Sequence, residues 1–405
     1  MKILALLFLI FFGTGILLSQ ELTFSVPIKL GSTVNSEAEE LGPLMSGDGK
    51  TLYFSRAFYD RNTGGKYAGT DIWVSKKNEQ GQWLPAVNMN NKWNNKLSNS
   101  VIGINQDHSI VYLLNAYSNK SGISFSKFYS GEWRSPEFIP IPDINRSDFV
   151  GFYANPKFDV ILISMKGKDS FGEEDLYVSL KDSFGNWTEP KNLGATINTK
   201  GFEISPFLTE DKKRLFFASN GHPGFGDADI FYCDRLFDSW ETWSVPKNLG
   251  DKINSKFFDA YFSLYDSIGY FSSSRINNQS EIYKTDVNKN RNTISFDRQY
   301  LTPKEVGELI GNSVSRKIIF EGGSSVLNSG QKELLYYIAN KLLTKTEIKF
   351  QLTGLGEESI LMRDRLNSII EQLTSVGIDS YRVRLVAQAL DGKVEPNTIE
   401  ISFFR

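Results

Sequence analysis

Few residues in this chain have the types and spacing that chemistry needs. Two acidic clusters come nearest, Gly172-Glu173-Glu174-Asp175 and Gly226-Asp227-Ala228-Asp229. Oxygen ligands set so close together are what a calcium ion takes. The last acid of each cluster also belongs to a phrase repeated along the chain, where it is expected to cap turns within its own unit, so no metal is assigned. His108 and His222 are the two histidines. His108 stands in a turn in place of glycine, and His222 lies in a Gly-rich loop beside Pro223. Both read as loop residues and not as catalysts. Cys233 is the single cysteine. It excludes a disulfide framework or a Cys-based zinc cluster and reads as a small buried apolar residue. No Gly-x-Ser-x-Gly elbow, phosphate loop or His-Glu-x-x-His is present. These residues point to no catalytic set, no metal and no cofactor, and so to a protein that is not an enzyme.

Composition narrows the elements that must carry any site. The 405 residues hold 45 Lys+Arg against 47 Asp+Glu, a balance that excludes a strongly basic nucleic-acid face. The 30 Phe and 17 Tyr beside 33 Gly favour strands and turns. Lys2, the apolar run Ile3 to Leu18 and then Ser19-Gln20-Glu21 read as a secretory signal over residues 1–20. The run is short for a membrane span of about 20 residues, and no cysteine near its end offers a lipid anchor. The mature chain is expected outside the cytoplasm, with no transmembrane span once the signal is removed.

Self-comparison reveals a repeat of about fifty residues. Trp83, Trp133, Trp187 and Trp243 are each followed by a proline, at Pro85, Pro136, Pro190 and Pro246. Pro190-Lys191-Asn192-Leu193-Gly194 returns as Pro246-Lys247-Asn248-Leu249-Gly250, and each runs on into Ile-Asn. Ahead of the tryptophans stands an acidic, an aliphatic and an aromatic residue: Asp71-Ile72-Trp73, Asp175-Leu176-Tyr177, Asp229-Ile230-Phe231 and Glu281-Ile282-Tyr283, with Gly122-Ile123-Ser124-Phe125 as a weak copy. Each unit offers about four short alternating strands separated by turn residues. Such units stack as propeller blades, with the aromatic of each repeat between blades. The last copy lacks its Trp–Pro strand, and Phe24-Ser25-Val26-Pro27-Ile28-Lys29-Leu30-Gly31 at the other end of the chain matches it. The N-terminal segment is therefore expected to complete the last blade and remove an exposed sheet edge. The count is five blades over residues 21–290, or six if Thr293 to Tyr300 begins another sheet.

These phrases, above all Ser219-Asn220-Gly221-His222-Pro223-Gly224-Phe225-Gly226 and Pro246-Lys247-Asn248-Leu249-Gly250, resemble the TolB-type, WD-like propeller repeats of bacterial envelope proteins. Residues 291–315 read as a linker in which Pro303 starts a short helical stretch. From residue 316 to 405 the pattern becomes strand–helix–strand–helix–strand–strand, an α/β sandwich, with Ser329 as the N-cap of its first helix and Gly377 as the stop of its second. Ile318-Ile319-Phe320-Glu321-Gly322-Gly323-Ser324-Ser325-Val326-Leu327, a helix and Phe350-Gln351-Leu352-Thr353-Gly354 resemble an OmpA-like peptidoglycan-binding domain. In that family an Asp takes the ammonium of the wall peptide's diaminopimelate and an Arg takes its carboxylate. The resemblance places Arg365 on the carboxylate through its planar fork, Glu357 of Gly354-Leu355-Gly356-Glu357 where the Asp would stand, and Asn397 before the last strand.

Similar propeller–OmpA proteins occur in Bacteroidetes-type envelopes, some alongside the type IX secretion and gliding apparatus. The resemblance thus implies a periplasmic scaffold near the outer membrane. Its propeller would bind an envelope protein and its C-terminal domain would anchor it to peptidoglycan or to an outer-membrane complex. The alternative is a propeller enzyme or glycan-binding protein acting on envelope saccharides, which needs an aromatic-lined channel mouth with converging carboxylates.

Overall fold

A computed structural model describes residues 22–118, 121–144, 149–236, 239–276, 278–289, 301–355, 360–379, 382–388 and 397–404. The signal-like residues 1–20, Glu357 and the stretch 293–300 lie outside them. Among the described residues no helix is long and apolar enough to cross a membrane.

The chain opens with β1 (Leu22–Phe24) and β2 (Ile28–Lys29). The first antiparallel sheet runs in order through β3 (Glu39–Met45), β4 (Thr51–Ala57), β5 (Asp71–Lys76) and β6 (Val87–Asn88). After α1 (Asn90–Trp93) the second holds β7 (Ser100–Ile104), β8 (Ile110–Leu114) and β9 (Ile123–Tyr129), with β10 (Glu132–Trp133) and β11 (Glu137–Ile139) both on β9. The third is β12 (Val150–Ala154), β13 (Val160–Met165), β14 (Asp175–Leu180) and β15 (Lys191–Asn192). The fourth is β16 (Glu203–Leu208), β17 (Arg214–Ser219), β18 (Asp229–Asp234) and β19 (Lys247–Asn248). The fifth joins β20 (Asp259–Tyr265), β21 (Ile268–Ser273) and β22 (Glu281–Lys289), and both β1 and β2 pair with β22. The first strands of the sheets neighbour one another in a closed ring, β3, β7, β12, β16, β20 and back to β3. This is a β-propeller.

Alternation explains the packing between sheets. Residues at every second position of a strand face one neighbouring sheet. Tyr53 and Val74 of the first sheet share a core with Val101 and Val111 of the second, and Leu215 and Trp243 of the fourth share one with Leu162 and Leu176 of the third. The repeat tryptophans sit in these seams as their spacing requires, with Trp243 fully buried. Cys233 is buried within β18.

A polar clamp recurs beside the apolar seams. Asn198 accepts from the Leu176 amide at 2.8 Å and donates to the Leu176 carbonyl at 3.0 Å. It also donates to Asn192, which donates to Asp175 at 2.9 Å. Asn94, Asn88 and Asp71 repeat this around Ile72, and Asn254, Asn248 and Asp229 repeat it around Ile230. In the fifth sheet Asn35 clamps Ile282 from across the chain ends, at 2.8 and 3.1 Å. There the acid–amide pair is replaced by an ion pair, Lys29 to Glu281 at 2.5 Å. The substitution keeps the contact and exchanges both partners together.

The C-terminal unit has its own core and sheet. It contains α2 (Pro303–Ile310), β23 (Lys317–Ile319), α3 (Ser329–Leu342), β24 (Lys349–Leu355), α4 (Ile360–Ser375), β25 (Val383–Gln388) and β26 (Thr398–Phe404). The sheet order is β23-β26-β24-β25, with β24 parallel to β25. Two expectations change. Residues 301–310, read as part of a linker, belong to this core: Leu301, Val306, Leu309 and Ile310 are buried in it, and Thr302 and Glu305 form a capping box that starts α2. The N-cap of α3 is Asn328, not Ser329. The Asn328 amide oxygen accepts from Gln331 N at 2.9 Å while the Gln331 side chain accepts from Asn328 N at 2.8 Å.

Removing one partner of a buried backbone pair costs about 1–3 kcal/mol. Asn35→Ala should therefore lower the midpoint of thermal unfolding, followed by circular dichroism, by several degrees. Lys168→Ala, at an exposed ion pair with Asp143 worth less than about 1 kcal/mol, should shift it far less. Equal shifts would mean that Asn35 does not hold the chain ends together.

Candidate functional site

Antiparallel order sends one set of connections to each face of the propeller. The β4–β5, β8–β9, β13–β14 and β17–β18 loops emerge on the side where each inner strand begins, and tight turns such as Ser46–Lys50 share the other side with the β5–β6, β14–β15 and β18–β19 connections. Large apolar rings stand exposed on the loop face: Phe58 and Tyr67 of the first sheet, Phe149 ahead of the third, Phe171 of the third and Phe225 of the fourth. Tyr67 is 82% exposed and meets Phe58 edge-on, with centroids 6.4 Å apart. Phe171 and Phe225 are carried on loops whose backbone amides are tied to Asp175 and Asp229. The last acid of each cluster, Asp175 and Asp229, is thus a turn cap in place, as its repeat position predicts.

Carboxylates also ring the start of the inner strands. Glu40, Glu203 and Asp259 each stand five residues after a clamp asparagine and are fully buried. Glu203 accepts from Thr199 Oγ1 and Ser219 Oγ at 2.7 Å and from Thr199 N at 2.8 Å. Glu40 accepts from Ser36 at 2.6 Å and Arg56 at 2.8 Å, and Asp259 accepts from Ser255 and Arg275. Each acid therefore closes its own loop and faces a neighbouring strand. Burial pushes Glu203 up to about 7 against the pull of its hydroxyl and amide donors, and it holds Glu40 above the usual carboxylate range despite Ser36 and Arg56. Glu39, one residue before Glu40 and on the other side of β3, differs. It is partly exposed and has no hydrogen-bond partner among the described residues, and burial raises its pKa.

The histidines are placed by packing. His108 adopts φ 58° in its turn, in keeping with the glycine position it fills, and its Nε2 lies 2.9 Å from Tyr53 Oη. His222 is buried against Phe217 and Phe231, with Nε2 2.7 Å from the Ile197 carbonyl. Only a protonated Nε2 can donate to that oxygen, and desolvation drives the ring's pKa down to about 4.

In the C-terminal unit, Arg365 and Asn397 come together. Arg365 Nη1 donates to Asn397 Oδ1 at 2.8 Å, Nε to the Ser324 carbonyl at 2.7 Å and Nη2 to the Glu321 carbonyl at 3.0 Å. The guanidinium is 2% exposed and lies over Phe320. It fastens the loop 321–324 to α4 and to Asn397, which itself adopts φ 73°. Glu357 lies outside the described residues. Phe58, Tyr67, Phe149, Phe171 and Glu39 stand outside the repeated phrases, which is their one sequence signal, whereas Phe225 stands within the phrase Ser219 to Gly226.

No protein-family model matches the chain, and no curated protein matches it. Solved structures do resemble it. One is titled a glycoside hydrolase, with 12% identity, TM-score 0.43, and coverage of 67% of this chain and 94% of that one. Another is CoXyl43, a GH43 β-xylosidase/α-arabinofuranosidase from a compost microbial metagenome, with 11% identity, TM-score 0.40, and coverage of 66% and 96%. TolB from Acinetobacter baumannii has 13% identity, TM-score 0.34, and coverage of 64% and 58%. Glycoside hydrolases among these propellers overturn the expectation that the chain is not an enzyme. The missing sequence motifs on which that expectation rested do not exclude catalysis by a propeller.

His222 has a pH signature. In the unfolded chain its pKa is near 6.5 and in the fold about 4. The unfolded state alone binds the proton between those values, so stability falls as pH drops from 6.5 to 4, by up to about 3 kcal/mol. Glu203 acts in the opposite sense. Its proton is held by the fold from about 4.5 to about 7, so its contribution is lost as pH rises through that window. His222→Gln keeps a donor and removes the titration. Its unfolding midpoint should fall less than that of the unsubstituted protein between pH 6.5 and 4, and parallel profiles would refute this. Separately, Arg365→Ala removes three hydrogen bonds of a buried guanidinium, to Asn397 Oδ1 and to the Ser324 and Glu321 carbonyls, and should lower the stability of the C-terminal unit by several degrees. Arg365→Lys, with a compact ammonium that does not span them, should recover only part, and no loss in either would show the guanidinium contacts to be idle.

Proposed function

We propose that the protein recognises saccharides of the cell envelope through the loop face of its propeller, with the C-terminal unit holding it at the cell wall. The observation that carries this is the set of exposed rings on one face: Phe58, Tyr67, Phe149, Phe171 and Phe225. A pyranose offers flat C–H faces that stack on such rings while its hydroxyls stay hydrated or find polar groups at the rim. Phe128, Tyr129 and Phe184 are exposed on the opposite face, but the five rings of the loop face outnumber them, and clustered apolar rings mark a binding surface. Glu39 supplies a partly exposed carboxylate on that side, beside those of the loop residues Asp60, Glu173, Glu174 and Asp227, with a proton held more tightly than usual. Hydrolysis of a glycosidic bond needs a second carboxyl group about 5–10 Å away, so binding is the part of the activity that the rings support. In this reading Arg365 shapes the wall-facing loop 321–324 and Asn397, and Glu357 offers a charge to the wall peptide. The protein then works in the periplasm.

Affinity electrophoresis of the full chain in gels containing soluble envelope polysaccharide tests the reading. Retardation should weaken at least fivefold in Tyr67→Ala/Phe171→Ala, whose exposed rings contribute little to stability. Release of reducing ends in the same mixtures, lost in Glu39→Gln, would mark turnover. A protein that no polysaccharide or peptidoglycan fragment retards, or a double variant that binds unchanged, would defeat the proposal.

A further inference from the structure

One backbone bond recurs at four seams of the ring. The amide at the start of an inner strand donates to the carbonyl just before the loop acid of the preceding sheet: Asn99 to Thr70, Glu203 to Glu174, Asp259 to Ala228 and Glu40 to Ser280, at 2.6–3.0 Å. At three of these seams the bond sets two buried acids side by side, Glu40 with Glu281, Asp259 with Asp229 and Glu203 with Asp175.

Two of the three pairs have a cation. Arg56 donates to Glu40 at 2.8 Å and Lys29 meets Glu281 at 2.5 Å, while Arg275 meets Asp259 at 3.1 Å. Asp175 and Glu203 have no ion pair among the described residues, and Asp175 Oδ1 is buried with no hydrogen-bond partner. Arg56 stands opposite Glu40, and Arg275 stands two residues beyond Ser273, which is opposite Asp259. The matching positions in the fourth sheet are Ser219, opposite Glu203, and Gly221, where a Cβ would run into Thr199 Oγ1. The groups around the pair do not replace the missing charge. Asp169, Glu173 and Glu174 are acids, and Lys166, Lys168 and Lys200 are exposed. His222 holds no proton above about pH 4, Arg214 on β17 is committed to Asp234, and burial raises Tyr153 on β12, Tyr177 on β14 and Tyr261 on β20.

We propose that the seam between the third and fourth sheets is a pH-sensitive switch, in which Asp175 and Glu203 hold one proton between them near neutral pH and its loss loosens the loop that carries Phe171. Two enclosed acids without a cation resist ionising together, and the retained proton belongs to the pair. Burial, with the Asp175 charge beside it, pushes Glu203 up to about 7 in keeping with this. The proton is thus the counter-charge that arginine supplies at the sister seams. Once it leaves, repulsion acts on Asp175, which accepts from the Phe171 amide at 2.9 Å, and on Glu203, which accepts from Thr199. The bonds between the two loops, Glu203 N to the Glu174 carbonyl and Glu173 N to the Gly201 carbonyl, are the ones that give way. The proposal does not rest on saccharide recognition.

The test uses the full chain. With ¹³C-labelled glutamate Cδ, Glu203 should titrate near neutral pH, and Asp175→Asn, which removes the facing charge, should lower its midpoint by about one unit or more. Hydrogen exchange, corrected for the intrinsic rate at each pH, should show protection of the 171–175 and 199–203 amides falling about tenfold between about pH 6 and about pH 8.5. The Glu39 and Glu40 amides, at the seam that has Arg56, should change less than about twofold. Glu203→Gln, which keeps an acceptor and cannot ionise, should flatten the profile of the 171–175 amides. A Glu203 midpoint below about pH 5.5, close to that of an ordinary glutamate, would overturn the proposal. So would a midpoint unmoved in folded Asp175→Asn, or 171–175 protection that follows the Arg56 seam. If a variant does not fold, titration and exchange of the unsubstituted protein decide.

Discussion

The asparagine clamp is the interaction on which the propeller depends. The outer strands β2, β6, β15 and β19 are only two residues long. The third strand of each sheet would otherwise reach a point where a buried amide and carbonyl have no partner, and such groups are costly to leave unpaired. A side-chain amide offers one donor group and one acceptor, so Asn94, Asn198, Asn254 and Asn35 each serve as a strand residue that arrives from a loop. Because that loop leads to the next inner strand, the same bonds fix one sheet against the following one. At Asn35 they tie together residues 247 positions apart.

The clamp explains why the carboxylates do not make the site. Asp71, Asp175 and Asp229 terminate the asparagine relays, and Glu40, Glu203 and Asp259 close the loops that the clamp begins. These acids are committed to the backbone before any ligand arrives. What remains for recognition lies on the loop tips, some of which repeat, as Phe171 and Phe225 do four residues before their capping acids, and some of which do not, as at Tyr67.

Arginines act in the C-terminal unit much as the asparagines do in the propeller. Arg382 is buried and donates to the carbonyls of Leu342, Lys345 and Ile348, joining the end of α3 to the approach of β24. Arg365 does the same for the loop before α3. A planar fork with five donors suits clustered carbonyls. The family resemblance set Arg365 on a wall-peptide carboxylate; among the described residues its guanidinium donates to the protein's own backbone and to Asn397.

The sequence by itself determined the propeller units, because strand alternation, turn residues and the Pro-Lys-Asn-Leu-Gly phrase are local and repeat. It also determined how the ring closes, because Phe24 to Gly31 matches a phrase whose own copy is missing. The helices of the C-terminal unit followed from their apolar stripes, and their caps to within a residue. Tertiary structure decided the rest. Whether an acid faces a ligand or caps a loop depends on where its sheet meets the next one, and Glu39 and Glu40, adjacent in sequence, divide on that point. His222 reads as a loop residue, but the rings of Phe217 and Phe231 that bury it come from two different strands. Phe58, Tyr67, Phe149, Phe171 and Phe225 share a face only because antiparallel order brings the β4–β5, β13–β14 and β17–β18 loops and the start of β12 to the same side, while Phe184, on the β14–β15 connection, lies on the other. Those outcomes depend on distances between elements far apart in the chain, which local pattern does not encode.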